Sequence, residues 1–153
     1  MTTLKKGEKI SDFTLKDQKG NDINLKDYRG KKVLLSFHPL AWTGICSTQM
    51  QSLESNLKRL TELNTVPIGI SVDSTFTKKE WAETIGIKDV RLLSDFWPHG
   101  GVAKQLGMFR EKEGTAQRAN IIIDEDGKVI FKKIYEISEV PDMKEILEFL
   151  ENL

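Results

Sequence analysis

"KVLLSFHPLAWTGICSTQMQSLESNLKRL", residues 32–60, carries three local patterns in succession. Lys32–His38 is a short apolar run of the kind that forms a buried strand. Pro39 closes it, because a proline donates no ladder hydrogen bond and locks φ. Beyond the loop, Ile45, Met50, Leu53, Leu57, Leu60 and Leu63 recur at spacings of three to five residues and predict an amphipathic helix over 45–63. The stretch is therefore a strand–loop–helix joint. Its first helical turn holds Cys46, the single cysteine of the chain, and His38 precedes it by eight residues. In α/β folds a ligand site tends to lie at such a joint, beyond the carboxyl end of a central strand.

The flanking sequence extends the same alternation. "DFTLKDQKGNDINLKDY" (12–28) alternates apolar and polar residues about Gly20-Asn21 and predicts an N-terminal β-hairpin. "VPIGISVD" (66–73) and "VRLLSD" (90–95) read as strands. "FTKKEWAETIG" (76–86) reads as a helix ending at its glycine, and "GGVAKQLG" as a short helix. "RANIIIDEDGKVIFKKIYE" (118–136) predicts two strands joined through Asp126-Gly127. "VPDMKEILEFLENL" predicts a C-terminal helix opened by Pro141-Asp142. Strands alternating with helices, followed by a hairpin and a helix, describe an α/β domain spanning residues 1–153, with a mixed central sheet flanked by helices. There are no repeats, linkers or low-complexity tracts.

Bulk properties narrow the function. The 153 residues suffice for one domain with a real core, and 39% hydrophobic with 30% charged residues is an ordinary globular balance. A net charge of zero argues against a nucleic-acid partner. The apolar runs are too short to span a membrane, and "MTTLKKGEKI" lacks the apolar segment of a secretory signal. One cysteine forms no internal disulfide. These features lead to an expectation of a cytoplasmic location, where thiols stay reduced.

At a helix N-terminus the free N–H groups and partial positive charge favour a thiolate. Thr43, three residues earlier, either caps the helix or turns its hydroxyl to the sulfur. A buried cysteine serving only as a small hydrophobe is the plain alternative, and the proline, threonine and cysteine between strand and helix weigh against it.

Those residues carry a resemblance. "PLAWTGIC" is similar to the P-x-x-x-T-x-x-C active-site signature of the peroxiredoxins, the alkyl hydroperoxide reductase/thiol-specific antioxidant family of the thioredoxin fold. "FTLKDQKGNDINLKDYRGKKVLLSFHP", "LLSDFWPHG" and "RANIIIDEDGKV" resemble further family segments in the same order, so that the resemblance covers nearly the whole chain. The one-Cys, alkyl hydroperoxide reductase E-like subgroup is the most similar. The resemblance implies a thioredoxin-like fold and a thiol-dependent peroxidase. Cys46 would attack the peroxide O–O bond and become a sulfenic acid. Thr43 would hydrogen-bond the sulfur and the peroxide, Pro39 would shield the thiolate, and Arg118 would be the active-site arginine. Backbone N–H groups of Gly44 and Cys46 would bind peroxide oxygens, and Trp42, His38 and Gln49 would border the substrate. No cofactor or metal is implied. The partners implied are a hydroperoxide, an external thiol or a thioredoxin- or glutaredoxin-like reductant, and further copies of the chain in a homodimer or larger homo-oligomer, with Trp42 and Trp97 as contact candidates.

The chain departs from the family pattern at His38 (usually tyrosine), Gln49 (usually glutamate), Trp42 (usually phenylalanine), Ala119-Asn120 and Ile10-Ser11. With glutamine at 49, a looser arginine network is expected. The lack of a second cysteine, with Gln51 where one subgroup has its resolving thiol, leaves the sulfenic acid to an outside thiol.

Ionisation alone does not account for such chemistry. Bringing a thiol from a pKa of ~8.5 to ~6 raises its thiolate fraction at neutral pH roughly tenfold. The accompanying loss of nucleophilicity, at a Brønsted coefficient of about 0.4–0.5, is of similar size. Rate must come from donors aimed at the charge that develops as the O–O bond stretches.

Two other functions use the same thiol: a redox relay passing its oxidation to a partner protein, and a cysteine hydrolase with a histidine base. His38, His99 and Cys46 have no metal-ligand spacing. "DEDG" (124–127) reads as a hairpin turn, Trp81 and Trp97 as core or interface aromatics, and Lys31-Lys32 and Lys78-Lys79 as solvated faces.

Overall fold

The computed structural model describes residues 4–153. The N-terminal hairpin is formed by β1 (Thr14–Lys16) and β2 (Asp22–Asn24), and a 3-10 turn (Leu25–Tyr28) follows it. Next come β3 (Lys32–Phe37), α1 (Gly44–Ser55), α2 (Leu57–Glu62), β4 (Thr65–Ser71), α3 (Thr75–Ile85), β5 (Arg91–Ser94) and α4 (Gly101–Gln105). A short pair β6 (Phe109–Arg110) and β7 (Thr115–Ala116), the strands β8 (Arg118–Ile123) and β9 (Val129–Tyr135), and α5 (Met143–Glu151) complete the chain.

Seven strands form one sheet in the order β2-β1-β5-β4-β3-β8-β9. The β5-β4-β3 centre is parallel and the β3-β8-β9 side antiparallel. This is the mixed sheet expected from the order of elements. The hairpin joins its far edge through Lys16 and Ser94.

Alternation along the strands divides the core in two, because successive side chains point to opposite faces. Val33, Leu35, Phe37, Ile121 and Ile123 pack on one face with Val102 and Ala103 of α4. Leu34 and Ile122 point the other way, to Met50 and Leu53 of α1, Trp81 of α3, and Ile146 and Leu150 of α5. Near-continuous apolar strands are what a sheet covered on both faces requires.

Local chemistry sets the element ends. Ser74 caps α3 by accepting from the Thr77 N–H, and Gly86 ends it with φ +81. Asp142 accepts from the Lys144 N–H at the start of α5. At the 124–127 turn, Asp124 Oδ1 accepts from the N–H groups of Asp126 and Lys128, both at 2.9 Å.

Three sequence expectations need correction. The predicted 45–63 helix is divided at Asn56, whose side chain donates to the Ser52 carbonyl at 2.7 Å and competes with the backbone ladder. The stretch between the short helix and Arg118, for which no element is expected, contains the β6–β7 pair, whose strands of two residues are too short to show periodicity. Lys78 is not on a solvated face: it has 0% exposure, on the side of α3 that also buries Trp81 and Ala82, whereas Lys79 is exposed.

The packing of α1 on the sheet depends on Gly69 of β4. A Cβ there would lie 2.4 Å from Met50 Sδ and 2.8 Å from Leu92 Cδ2. Both neighbours are fully buried and have little room to yield. Gly69→Ala is expected to destabilise the fold by about 1–3 kcal/mol, the range for overpacking a core, measured by urea denaturation.

Candidate active site

The register of β3 with β8 brings the site together. Phe37 pairs with Ala119, so Arg118, the first residue of β8, lies beside the carboxyl end of β3, where the loop to α1 begins. The loop is pinned at both ends. The His38 N–H donates to the Ile70 carbonyl at 3.0 Å, and the Ala41 N–H to Asp73 Oδ2 at 2.8 Å. The Thr43 hydroxyl donates to the Leu40 carbonyl at 3.0 Å. Between these ties, Trp42 takes φ +70, a left-handed conformation that costs a bulky residue about 1–3 kcal/mol and persists only where its surroundings impose it.

Thr43 occupies the N-cap position of α1 with extended backbone, yet its side chain makes no capping bond. The first intrahelical bond of α1 comes from the Ser47 N–H, to the Thr43 carbonyl at 2.9 Å. The N–H groups of Gly44, Ile45 and Cys46 therefore have no partner within the helix, which leaves a helix end suited to a negatively charged or electron-rich group.

Cys46 has 0% exposure. Arg118, itself 2% exposed, donates through Nη1 to Cys46 Sγ at 3.2 Å and to Gln49 Oε1 at 2.8 Å, and through Nε to the Ile137 carbonyl at 3.0 Å. Gln49 in turn donates through Nε2 to Ser36 Oγ at 2.8 Å and to the Phe37 carbonyl at 3.1 Å. The expected loosening at this position does not occur. A glutamine amide accepts from the arginine with its oxygen and holds the sheet with its nitrogen, which a carboxylate, having acceptors only, could not do.

A cleft of about 510 Å³ opens at this point, lined by Pro39, Leu40, Thr43, Gly44 and Arg118, with Ile137 opposite. A larger cavity, about 620 Å³, lies beside the N-terminal hairpin, Phe76 and Trp97 and holds none of these groups. The structure thus brings Pro39, Thr43, Gly44 and Arg118 together at the cleft, with Cys46 buried against Arg118. His38, Gln49 and Trp42 do not line the cleft. His38 and Gln49 are buried behind it, since their hydrogen bonds run into the fold, and Trp42 is turned to solvent with 54% exposure. His99 is exposed and bonded to the Gly114 carbonyl, apart from the thiol.

The sequence reading missed the polar layer behind the loop. His38 has 0% exposure, and its Nε2 lies 3.3 Å from Lys78 Nζ. Its ring is 5.1 Å from that of Trp81, whose Nε1 donates to Ser47 Oγ of α1 at 3.0 Å. Burial, and then the charges of Lys78 and Arg118, hold the imidazole well below its usual range, so it is neutral. Burial likewise brings Lys78 down to about 7, against the opposing pull of Asp73, Cys46 and Asp95. A signal for Lys78 was present: it falls at i, i+3, i+4 and i+7 spacing with Trp81, Ala82 and Ile85, on the apolar stripe of the helix.

Comparison with known proteins agrees with this architecture. The sequence profile described as the AhpC/TSA family matches residues 6–132. The alkyl hydroperoxide reductase E of Mycobacterium tuberculosis is 39% identical over 139 residues, covering 90% of each chain. A thiol peroxidase of Streptococcus agalactiae is 35% identical over 122 residues, covering 80% of this chain and 66% of that one. The crystal structure of Enterococcus faecalis AhpC superposes with a TM-score of 0.90 at 27% identity, over 99% of this chain and 92% of that one. A family match across most of the chain, relatives named alkyl hydroperoxide reductase and thiol peroxidase, and a shared fold lead to one conclusion: the chain belongs to the AhpC/TSA family and is a peroxiredoxin enzyme.

Proposed function

We propose that this peroxiredoxin reduces hydrogen peroxide and organic hydroperoxides by a one-Cys mechanism at Cys46. The observation that supports it most is the Arg118 Nη1 to Cys46 Sγ contact of 3.2 Å, made next to the uncapped first turn of α1. The Cys46 thiolate attacks the terminal peroxide oxygen. The O–O bond breaks, the leaving oxygen departs with the electron pair and takes up a proton, and the sulfur becomes a sulfenic acid. Arg118 and the N–H groups of Gly44 and Cys46 are donors for the charge that builds on the leaving oxygen. The Thr43 hydroxyl, at the cleft wall, orients the peroxide, and Pro39 keeps water from the sulfur. Gln49 acts through Arg118 as a positioning residue.

With one cysteine in the chain, an external thiol must attack the sulfenic acid, expelling water and leaving a mixed disulfide that a second thiol releases. A small thiol or a thioredoxin- or glutaredoxin-like protein fills that role. No helix among the described residues is long and apolar enough to cross a membrane. A reducing compartment such as the cytoplasm suits a lone catalytic thiol. Trp97, 81% exposed, and Trp42 support the inference of a homodimer or larger homo-oligomer.

One equivalent of hydrogen peroxide added to reduced protein should add one oxygen at Cys46, read by intact mass. Cys46→Ser should lose all peroxide consumption while keeping its fold; retained turnover would remove Cys46 from the role of nucleophile.

Arg118→Ala should slow peroxide attack by about 10²–10³-fold, the usual cost of deleting one transition-state donor. Stopped-flow rates corrected for thiolate fraction decide the point. A loss that disappears on correction would confine Arg118 to ionisation.

A sulfenic acid left waiting can meet a second peroxide and become sulfinic acid. Two peroxide pulses should therefore inactivate the enzyme, and a small thiol added between them should protect activity and leave a mixed disulfide on Cys46. Equal inactivation in both arms would exclude small thiols from the sulfenic acid and leave a docking protein as the reductant, as in a relay.

A further inference from the structure

We propose that Lys78 is a positioning residue of the peroxide site: buried behind His38, it is a second cationic support for the Cys46 thiolate, so that peroxide attack follows the protonation of Lys78 as well as that of the thiol. This rests on the reading of Cys46 as nucleophile.

The geometry is that of a cation without a direct counter-ion. Lys78 has 0% exposure, and the one hydrogen-bond partner of its Nζ among the described residues is His38 Nε2 at 3.3 Å. A lysine ammonium has donors only, so whenever it is charged the Nε2 lone pair must face it, and the imidazole proton sits on Nδ1. Asp73 and Asp95 face Lys78 from the ends of β4 and β5, but neither comes within ion-pair distance. Both carboxylates are already engaged. Asp73 Oδ2 accepts from the Ala41 N–H and Ser71 Oγ, and Asp95 accepts from the N–H groups of Val102 and Ala103. Lys78 shares the buried side of α3 with Trp81, which donates to Ser47 Oγ at 3.0 Å, next to Cys46 in α1. The charge of Cys46 also acts on Lys78, and that of Arg118 on His38.

A buried ammonium of this kind is expensive for folding, and removing it in favour of an apolar side chain is often stabilising. Lysine at this position therefore calls for a function. Coupling supplies one. The interaction by which a thiolate holds the proton on Lys78 is the same interaction by which the ammonium favours the thiolate. A proton can pass from thiol to amine inside the site without changing its net charge.

The effect on stability has a definite sign. Burial brings Lys78 down to about 7 in the folded chain, against 10.5 when unconstrained. Between these values the unfolded chain holds the proton that the folded chain has released. Stability rises with pH across that window, and the penalty of the buried lysine is nearly complete at pH 7.

The test uses Lys78→Met and Lys78→Arg, with thiolate absorbance and single-turnover peroxide rates followed from pH 5 to 9. In Lys78→Met the thiolate should appear about one pH unit higher, the lower end of the range for a nearby charge, and the reaction at pH 7 should slow by at most about fourfold, because higher nucleophilicity offsets part of the lost thiolate. Its urea midpoint at pH 7 should rise. In Lys78→Arg, whose charge does not titrate, thiolate formation should return and the inflection near pH 7 should vanish from the rate profile. A second measurement needs no Lys78 variant: the 13Cε resonance of Lys78 should titrate at lower pH in Cys46→Ser than in the reduced wild type. Identical lysine titrations in the two proteins would overturn the proposal. So would a Lys78→Met variant that is less stable but keeps the wild-type thiolate curve, because Lys78 would then be a packing residue. Wild-type protein inert to peroxide would instead refute the nucleophile reading, since the lysine titration is measured without peroxide.

Discussion

The contact between Arg118 and Cys46 constrains everything around it. A guanidinium cannot shed its charge, and at 2% exposure it must find acceptors inside the fold. It finds three: a sulfur, a side-chain amide and the Ile137 carbonyl. Two come from α1 and the third from the chain beyond β9, so the contact holds only when β8 is in register with β3, α1 has the correct rotation, and the chain beyond β9 folds back over the guanidinium. A one-residue slip of β8 would carry Arg118 to the opposite face of the sheet. Sheet register is thus part of the site as much as of the core.

Behind the contact, the protein retains features that a stability-optimised chain would discard. Trp42 holds a left-handed backbone, Lys78 is buried without an ion pair among the described residues, and His38 is buried beside it as a neutral imidazole. All three border the loop between β3 and α1. The rest of the domain keeps closer to ordinary rules, with side-chain caps on α3 and α5, an alternating core and most charged residues outside. Concentrated violation of local rules in one loop and its backing is what a working site looks like against a consistent fold.

Most of the fold was legible because its signals are local and redundant. The apolar runs at 32–38 and 66–73, the Asp126-Gly127 turn and the Gly86 stop each identify an element without help from the others. Thr43, Pro39 and Gly44 were legible because they lie within seven residues of Cys46, and Arg118 through the resemblance that its segment carries. What could not be read was relational. The role of Gln49 depends on Ser36 and Phe37 of the sheet, which no spacing in the sequence connects to it. Lys78 was read by its charge when its helical phase with Trp81 pointed inward. The hairpin before Arg118 is held by two residue pairs, below the length at which alternation has meaning.

The division of labour between the two faces of the loop follows from the chemistry. Ionising a thiol raises the amount of nucleophile and lowers its reactivity by a comparable factor. A site that only favoured thiolate would gain little rate. The groups behind the loop, Lys78 and His38, lie away from the cleft and can influence only the charge on sulfur. In the proposed mechanism the departing oxygen meets the groups at the cleft, Arg118 and the first-turn N–H groups. Their arrangement is rigid where Gln49 and Ile137 fix the guanidinium, so little reorganisation remains to be done as the O–O bond stretches. In the proposed mechanism, supports for the ground-state anion behind the loop and donors for the transition state at the cleft divide the work on one sulfur, and the left-handed turn at Trp42 lies in the loop between β3 and α1.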